Sequence, residues 1–364
     1  MVAREIGYCI TPHGFGHAAR AAAVMEAVAA RTEVLFHVVT EVPEWFFQQS
    51  LSAPFVYHRL PTDVGLVQQS AFQEDLEATL AALAALYPLG QQLVDQVSER
   101  LSSCSLVVCD IAPLGIEVAK NSGALSVLVE NFTWDWIYAG YAEQHPGLRP
   151  FIDYLETLFS EADYHVQTAP ICRPAACDCQ TAPVARKPRT SREDIRRQLQ
   201  IGGDERMILV TMGGISGEDV GLQPLRRARE WVFVLPGYAD TLVVDGNLRL
   251  LAANSGIYHP DLIHASDAVI GKVGYSTLAE VWRAGVPYGY VCRTDFRESG
   301  PLAAFIRKNM AGLEIASSGL RTGEWLASLP ELVRLGRSSP AMADGADQVA
   351  DFLLGLPPVT GRDR

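Results

Sequence analysis

The sequence predicts two α/β domains in tandem, each a Rossmann-like, doubly wound parallel sheet, and three observations support this fold class. At 364 residues the chain is longer than a single hydrophobic core usually becomes. Short β-rich runs alternate with longer helical patterns in both halves, which is typical of βαβ units. Between the two series, residues 171–192 are rich in proline and arginine without an apolar period, which indicates an interdomain linker.

The first predicted domain comprises residues 1–170. Its predicted strands are Glu5–Thr11, Glu33–Val39, Pro54–His58, Leu106–Cys109 and Leu125–Val129. Between the third and fourth strands, apolar residues recur at helical spacing from Ala71 to Ser102. Pro88 and Gly90 divide this stretch into two helices, because proline interrupts helical hydrogen bonding.

The second predicted domain comprises residues 193–338. Its predicted strands are Met207–Thr211, Trp231–Leu235, Leu248–Leu251, Ala268–Ile270 and Tyr288–Val291. A last helical pattern, Met342–Leu354, lies in a C-terminal segment, residues 339–364, which could pack back on the first domain.

Composition and charge exclude several classes of function. Acidic residues outnumber basic ones by 42 to 30 without a basic stripe, so nucleic acid is not an expected partner. The first strand begins within a few residues of the start, and no apolar run is long enough to span a bilayer. We therefore expect a cytoplasmic protein without a transmembrane segment. The seven cysteines, an odd number, do not indicate a disulfide framework.

A glycine-rich turn follows the first predicted strand and opens a helix: Gly14, Phe15, Gly16 and His17. Its glycines let the backbone pass close to a ligand, and crevices form at the carboxyl ends of strands in open sheets. We therefore expect a substrate at this turn. Ala19 stands where a dinucleotide fingerprint has its third glycine, so a nicotinamide cofactor is disfavoured.

Candidate acid–base residues lie at this turn and at the end of the fourth strand. Histidine is the side chain best suited to accept a proton near neutral pH, and His13 and His17 flank the glycines. Asp110 ends the fourth strand at the same sheet edge, where it could orient a histidine ring. The alternatives are structural hydrogen bonding by the histidines and helix capping by Asp110.

The segment after the fifth strand concentrates aromatic side chains with polar ones. Sugars bind such surfaces because their C–H faces stack on rings while amide and carboxylate groups hold their hydroxyls. Asn131, Trp134 and Asp135 are the candidates. The alternative is an aromatic corner of the core.

Two segments of the second domain could hold a diphosphate. Gly213 and Gly214 form a glycine-rich turn after a strand, which presents backbone N–H groups to a phosphate. The second segment opens a helix near Ser276, where the hydroxyls of Ser276 and Thr277, together with Lys272, could hold a diphosphate without a metal.

Further donor-binding candidates surround this helix start. Gly274 precedes the helix, and Glu280 lies one turn beyond Ser276, where it could accept hydrogen bonds from ribose hydroxyls. Ile257 precedes a short helix and could offer backbone groups to a base, while Asp295 and Glu298 follow a strand at the same sheet edge. The alternatives are ordinary turns, caps and surface charges.

Cys172, Cys177 and Cys179, with His165 upstream, could supply four zinc ligands. Their spacing is not one of the usual metal-binding pairs, and the alternative is that they are linker cysteines without a metal. We predict no metal in the site.

Together these segments resemble the GT-B glycosyltransferases, especially the lipid-intermediate N-acetylglucosaminyltransferases of peptidoglycan synthesis. The Gly14 to His17 turn resembles that family's G-x-G-H loop, which implies that His17 activates the acceptor. Residues Gly274 to Glu280 resemble its donor loop, which implies that Glu280 binds ribose. The resemblance implies two domains that face a central cleft. It also implies that Gly14, Phe15, Gly16 and the aromatic segment lie on the acceptor side, and that a UDP-sugar is the favoured donor.

The chain is also similar to the glycosyltransferase-like N-terminal domain of plant arabinokinases. That domain has a similar H-G-F-G-H turn, an N-F-[ST]-W-D-[FW]-I-Y block and a K-[IV]-G-Y-[GS]-T segment, and all three occur here in order, within residues 5–310. The kinase half of those proteins has no counterpart in these 364 residues.

The resulting hypothesis is an inverting, metal-independent transfer of a sugar from a nucleotide diphosphate to an unidentified hydroxyl acceptor. His17, assisted by Asp110, would remove the acceptor proton. A sugar-nucleotide epimerase or hydrolase and a non-catalytic sugar-nucleotide binding protein are the alternatives.

Overall fold

A computed structural model of the protein describes residues 4–70, 72–212, 220–339 and 343–357. The chain divides into two compact units. The first takes residues up to 69, residues 74–185 and those from 343 onward; the second takes residues 70–73 and 186–342. No helix in the described ranges combines the length and the apolar character needed to cross a membrane.

The first unit is built on a parallel sheet whose described strands run in the order β3-β2-β1-β6-β7-β8-β9. These strands are β1 (Arg4–Ile10), β2 (Val34–Val39), β3 (Phe55–His58), β6 (Leu106–Asp110), β7 (Leu125–Glu130), β8 (Tyr164–Thr168) and β9 (Cys179–Thr181). A short pair, β4 (Gln68–Ser70) and β5 (Gln73–Glu74), lies outside this sheet. Its helices are α1 (Gly16–Ala29), α2 (Glu44–Ser50), α3 (Leu76–Leu86), α4 (Gln91–Arg100), α5 (Leu114–Ser122), α6 (Trp134–Ala139) and α7 (Arg149–Ser160), with a 3₁₀ turn at Pro146–Leu148.

The second unit has a sheet in the order β12-β13-β11-β10-β14-β15-β16, parallel except for the β12–β13 pair. Its strands are β10 (Arg206–Thr211), β11 (Trp231–Pro236), β12 (Val243–Asp245), β13 (Leu248–Leu251), β14 (Ala268–Lys272), β15 (Tyr288–Val291) and β16 (Gly312–Glu314). Its helices are α8 (Arg192–Gln198), α9 (Leu222–Arg227), α10 (His259–Ala265), α11 (Tyr275–Ala284), α12 (Ser299–Asn309) and α13 (Leu329–Arg334), with 3₁₀ turns at Ser317–Gly319 and Glu324–Ser328.

The prediction of two doubly wound parallel-sheet α/β domains is confirmed. The central strands are buried on both faces, so they appear in the sequence as continuous apolar runs that are easily recognised. The break predicted at Pro88 and Gly90 separates α3 from α4.

The segment predicted as a linker, residues 171–192, has a different organisation. Its residues 179–181 form β9, the edge strand that pairs in parallel with β8. The division between the units falls after Ala185. A strand of three residues is too short to produce a recognisable period, which explains why the sequence did not reveal it.

The last helix, α14 (Gly345–Gly355), belongs to the first unit and packs on α1. Arg31 donates hydrogen bonds to Asp347 at 2.9 Å and to Asp351 at 2.8 Å. At the start of α14, Gly345 lets the helix backbone pass close to the segment after β9, because a Cβ at this position would lie 2.1 Å from the carbonyl oxygen of Ala182.

Candidate functional site

The first unit brings His17 and Asp110 together at the carboxyl edge of its sheet. His17 lies in the first turn of α1, directly after β1, and Asp110 is the last residue of β6. Because β1 and β6 are neighbours with Ile10 in register with Asp110, the two elements meet at one edge. The Nδ1 of His17 lies 3.2 Å from Oδ1 of Asp110, and both side chains are buried. Nη2 of Arg20 also lies 3.4 Å from this nitrogen, but the shorter contact with the Asp110 carboxylate favours the proton on Nδ1, which assigns Nε2 as the basic nitrogen.

Arg20 completes this cluster and was not predicted. Its Nε donates to Oδ2 of Asp110 at 2.8 Å, its Nη2 donates to Oδ1 at 2.6 Å, and its Nη1 donates to Oδ1 of Asn131 at 2.7 Å. The guanidinium is only 1% exposed. The spacing could have revealed it, since Arg20 follows His17 by three residues and so shares its helix face.

This arrangement keeps Asp110 ionised. Burial alone raises the pKa of the carboxyl group, but the charge and hydrogen bonds of Arg20, with a smaller contribution from His17, hold the pKa below its usual value. An ionised Asp110 can orient the His17 ring and stabilise it when it becomes protonated.

His13 lies close to this cluster but has a different environment. Its ring makes an edge contact with Trp134, with centroids 5.1 Å apart, and its Nδ1 accepts a hydrogen bond from the backbone N–H of Leu66 at 3.3 Å. Gly65, which has a positive φ, lies so close that a Cβ there would be 2.7 Å from the Cβ of His13. The turn itself requires glycine at Gly14, whose φ is +69°.

A second buried carboxylate near this turn was also missed. Asp63 accepts hydrogen bonds from the hydroxyls of Thr11 at 2.8 Å and Tyr87 at 2.9 Å, and from the backbone N–H of Val64. Burial raises the pKa of Asp63 to about 6, although these hydrogen bonds oppose the rise. No sequence pattern marks Asp63, because it lies in an irregular segment after β3.

The acceptor-side candidates differ in their accessibility. Phe15 stacks on Phe46 with ring centroids 5.1 Å apart and remains partly exposed. Gly16 is the first residue of α1. Asn131 is fully buried and supports Arg20, and Trp134 is also fully buried.

Trp134 belongs to an aromatic corner of the core rather than to an open sugar-binding surface. His13, His17, Phe132 and Tyr138 surround its ring, so no face is open for a sugar to stack on. The neighbouring Asp135 bonds to Arg173, at 2.9 Å, and lines a separate cavity rather than joining the His17 cluster.

In the second unit Glu280 is buried, and both of its carboxylate oxygens have a partner. Its Oε1 accepts from Nε of Arg186 at 2.8 Å, and its Oε2 lies 3.0 Å from Nδ1 of His259. Burial raises the pKa of Glu280, but Arg186 and then His259 outweigh this effect and lower it. The guanidinium of Arg186 lies over the Tyr258 ring, 5.1 Å from its centroid. The sequence did not indicate Arg186 or His259 as partners, because each is far from Glu280 along the chain.

The start of α11 lies one residue earlier than predicted. The helix begins at Tyr275 after an extended Gly274, and no side chain caps it. Ser276 and Thr277 therefore lie in the first turn, where backbone N–H groups lack intrahelical partners. Lys272 ends β14 and is partly exposed.

The remaining donor-side candidates differ in their exposure. Ile257 is partly buried before α10, Asp295 is exposed, and Glu298 is buried at the start of α12. Gly213 and Gly214 lie outside the described residues.

The cysteines proposed as zinc ligands do not form a metal-binding group with His165. In the described ranges, the His, Cys, Asp and Glu side chains close enough to share an ion are Glu5, His37 and Cys104. His165 instead contacts Glu130, with Nε2 2.7 Å from its Oε1.

Comparisons with known proteins agree with this architecture. No family model matches the chain. The chain is 31% identical over 357 residues to an L-arabinokinase of Arabidopsis thaliana, which covers 95% of this chain but only 34% of that protein. The chain thus corresponds to about a third of the length of this relative.

Solved structures show the fold. Arabidopsis thaliana UGT89C1 complexed with UDP superimposes with a TM-score of 0.63 at 15% identity, covering 96% of this chain and 98% of that one. A UDP-glucosyltransferase from Polygonum tinctorium gives 0.60 at 13% identity, with 96% and 98% covered. MurG of Acinetobacter baumannii gives 0.51 at 15% identity, with 97% and 100% covered. The chain therefore has the GT-B fold of glycosyltransferases, as the sequence predicted.

Proposed function

We propose that the protein is a glycosyltransferase that moves a sugar from a nucleotide diphosphate to a hydroxyl acceptor. The observation that carries this proposal is the buried His17–Asp110 pair at the carboxyl edge of a GT-B sheet. UDP is the favoured nucleotide, because solved structures with this fold include one complexed with UDP and a UDP-glucosyltransferase. Transfer would be inverting and independent of a metal.

In the proposed reaction, Nε2 of His17 accepts the proton of the acceptor hydroxyl while its oxygen attacks the anomeric carbon. The bond from that carbon to the diphosphate oxygen breaks, and the nucleotide diphosphate leaves with the electron pair. Attack from the side opposite the leaving group inverts the anomeric centre. Asp110 orients His17 and stabilises its positive charge, while Arg20 holds Asp110 in place.

The second unit would bind the donor. The first turn of α11 offers backbone N–H groups, the hydroxyls of Ser276 and Thr277, and Lys272 nearby, which together suit a diphosphate. Glu280 would accept hydrogen bonds from the ribose hydroxyls. Both of its oxygens already contact Arg186 and His259, but a carboxylate oxygen can accept more than one hydrogen bond.

The central experiment identifies the donor and then tests the base. A thermal-shift screen of nucleotide sugars would find ligands that raise the apparent stability of the folded protein. With the identified donor and a panel of hydroxyl acceptors, we expect His17→Ala to lower the rate of nucleotide release by about 10²–10⁴-fold. His145→Ala, a half-exposed histidine of the same unit that pairs with Glu77, is the matched control and should leave the rate unchanged. Turnover by His17→Ala near the wild-type rate would exclude His17 as the base.

Four further tests separate this proposal from its alternatives. Consumption of donor without acceptor would indicate an epimerase or hydrolase, and donor binding without turnover across the panel would indicate a binding protein. Because a relative is named L-arabinokinase, ATP with L-arabinose is also tested, and phosphorylation of the sugar would overturn the proposal. Loss of transfer in EDTA would contradict metal independence.

A further inference from the structure

Glu5, His37 and Cys104 form a group of side chains that the proposed glycosyl transfer does not use. Their ligand atoms, a carboxylate oxygen, an imidazole nitrogen and the thiol sulfur, all lie within 4.8 Å of one another. Glu5 is in β1, His37 is in β2 and Cys104 lies in the loop before β6, so three separate parts of the first unit supply one atom each. We call this group the Glu–His–Cys cluster.

The Glu–His–Cys cluster lies on the opposite face of the sheet from Asp110. Asp110 is in register with Ile10 of β1. Side chains of a strand alternate between the two faces, so Glu5, five residues before Ile10, points to the other face. His37 is in register with Gly7, a position that shares the face of Glu5. The sheet therefore separates this cluster from the proposed base.

Gly7 explains how Cys104 comes to lie beside the two strand residues. A Cβ at position 7 would lie 2.9 Å from Cδ1 of Leu101, so glycine lets the residue that follows α4 pack closely on this face of β1. The backbone N–H of Cys104 then donates to the carbonyl oxygen of Leu101 at 2.9 Å. This turn carries the thiol to Glu5 and His37.

An ion from solvent can reach the Glu–His–Cys cluster. The side chains of Glu5 and His37 are 28% and 12% exposed. Val56, the neighbour of His37 on the edge strand β3, is 39% exposed, so solvent lies close to this side of the cluster. Cys104 is buried and forms the inner side. The cluster therefore combines an entry path with a protected sulfur ligand.

The distances within the cluster suit a small divalent ion after a modest adjustment. Nε2 of His37 lies 2.9 Å from Oε2 of Glu5, which is the distance of a hydrogen bond. Nitrogen, oxygen and sulfur ligands lie about 2.0–2.3 Å from a tetrahedral zinc ion, which places them about 3.3–3.6 Å from one another. A movement of about 0.5 Å by the flexible, partly exposed Glu5 side chain would make room for the ion.

His58 and Ser103 are placed to orient two of the ligands. Nε2 of His58 lies 3.3 Å from Nδ1 of His37, and the two rings stack with centroids 5.6 Å apart. With the proton on Nδ1, His37 donates to His58, and its Nε2 lone pair faces Glu5. Metal-bound histidines generally donate their other N–H in this way, which fixes the ring. The hydroxyl of Ser103 donates to Oε2 of Glu5 and so orients the carboxylate.

We propose that the Glu–His–Cys cluster binds one divalent ion of the zinc class, through the carboxylate of Glu5, Nε2 of His37 and the thiolate of Cys104. Zinc uses imidazole, thiolate and carboxylate ligands, whereas magnesium and calcium favour oxygen ligands alone. A metal–sulfur bond replaces the S–H bond of Cys104, and the thiol proton is released to solvent. The two negative charges of the carboxylate and the thiolate balance the charge of the ion, and water fills the fourth position.

The test is binding of Co²⁺ and then Zn²⁺ to the reduced, metal-free full chain, without any nucleotide sugar. Co²⁺ bound by a thiolate absorbs in the near ultraviolet through charge transfer, and added Zn²⁺ should displace it. We expect one ion per chain in the wild type and no charge-transfer band in Cys104→Ser. Glu5→Gln and His58→Ala should each weaken binding by about 10–100-fold, the first by removing a charged ligand and the second by removing the partner of Nδ1.

Cys177→Ser is the matched control. Cys177 is a partly exposed cysteine of the same unit and lies outside the Glu–His–Cys cluster, so this variant should keep the wild-type cobalt spectrum. Zn²⁺ should raise the urea midpoint of the wild type and of Cys177→Ser, but not that of Cys104→Ser, because an ion that binds only the folded state stabilises it. Glu5→Gln, at a partly exposed position, tests the site even if Cys104→Ser folds poorly.

Three results would overturn the proposal. The first is a wild type without a thiolate band in excess Co²⁺, which would leave Glu5 and His37 as a hydrogen-bonded pair with the proton on Nε2. The second is a band that Cys104→Ser or Glu5→Gln leaves at wild-type strength and affinity. The third is loss of the band in Cys177→Ser, which would assign the ion to the cysteines between β8 and α8. None of these results depends on sugar transfer or on His17.

Discussion

Replacing Arg20 by methionine tests whether a buried ion pair maintains the proposed reaction centre. Arg20 and Asp110 are each 1% exposed and share two hydrogen bonds, at 2.8 and 2.6 Å. Arg20→Met leaves Asp110 as an uncompensated buried charge, and breaking such a pair costs about 3–5 kcal/mol of the free energy of unfolding. That is a large share of the roughly 5–15 kcal/mol that stabilises a typical domain.

The pH dependence of this loss has a defined sign. In the wild type the lowered pKa of Asp110 contributes stability that is present above the carboxyl's unfolded value and is lost as the pH falls through the folded value. Without Arg20, burial raises the pKa instead, so Asp110 destabilises the fold as the pH rises. The difference between Arg20→Met and wild type should therefore be largest at neutral pH and should shrink as the solution becomes acidic.

The assay is urea unfolding at several pH values, monitored by circular dichroism. The free energy of unfolding is compared for the unfolding transition that the substitution shifts. The double variant Arg20→Met/Asp110→Asn removes both charges, so it should regain part of the stability that the single variant loses. A cost below about 1 kcal/mol for Arg20→Met, or a double variant no more stable at neutral pH than the single one, would refute this explanation.

Three further substitutions, one of them with a control substitution, test other parts of the molecule. Burial raises the pKa of Asp63 to about 6, so the stability that this group contributes at low pH is lost as the pH rises through that value. Asp63→Asn should remove this loss, which amounts to a change in the free energy of unfolding on the order of 3 kcal/mol between the ordinary carboxyl pKa and neutrality. Gly271→Ala places a Cβ 2.4 Å from the carbonyl oxygen of Thr211 and should cost roughly 1–3 kcal/mol in urea unfolding, whereas Gly203→Ala, with nothing within 4 Å, should change stability by about 0.5 kcal/mol or less. Glu280→Gln should weaken UDP binding by about tenfold or more in calorimetry, and unchanged affinity would exclude Glu280 from the nucleotide site.

The strands could be predicted from sequence because parallel strands covered on both faces must be apolar throughout. The runs Leu106–Cys109 and Ala268–Ile270 follow this pattern, and the structure extends both strands only at their carboxyl ends, to Asp110 and Lys272. The short edge strand Cys179–Thr181 escaped prediction because three residues establish no period. Its environment depends on pairing with β8, which is tertiary information.

The candidate site was predictable only where chemistry coincides with a strand end. His17 follows β1 and Asp110 ends β6, so topology places both at one edge of the sheet. Asp63 lies in an irregular segment, and Arg186 reaches Glu280 across 94 residues of sequence, so neither has a local pattern. Trp134 was predicted as a sugar-binding residue but is fully buried, because an aromatic residue in the core cannot be distinguished by sequence from one on a sugar-binding surface.

The two basic residues beside Asp110 have different consequences for the proposed chemistry. Arg20 is permanently charged and bonds both carboxylate oxygens, so it fixes the position and the ionisation of Asp110. His17 contacts only Oδ1 and changes charge within the reaction. A carboxylate held by histidine alone could rotate or take up the proton when His17 is protonated, whereas one anchored by Arg20 must remain an oriented anion. The three-residue spacing of His17 and Arg20 places both side chains on one face of α1, where each contacts Asp110. A substitution at Arg20 should therefore impair both the stability of the protein and proton transfer by His17.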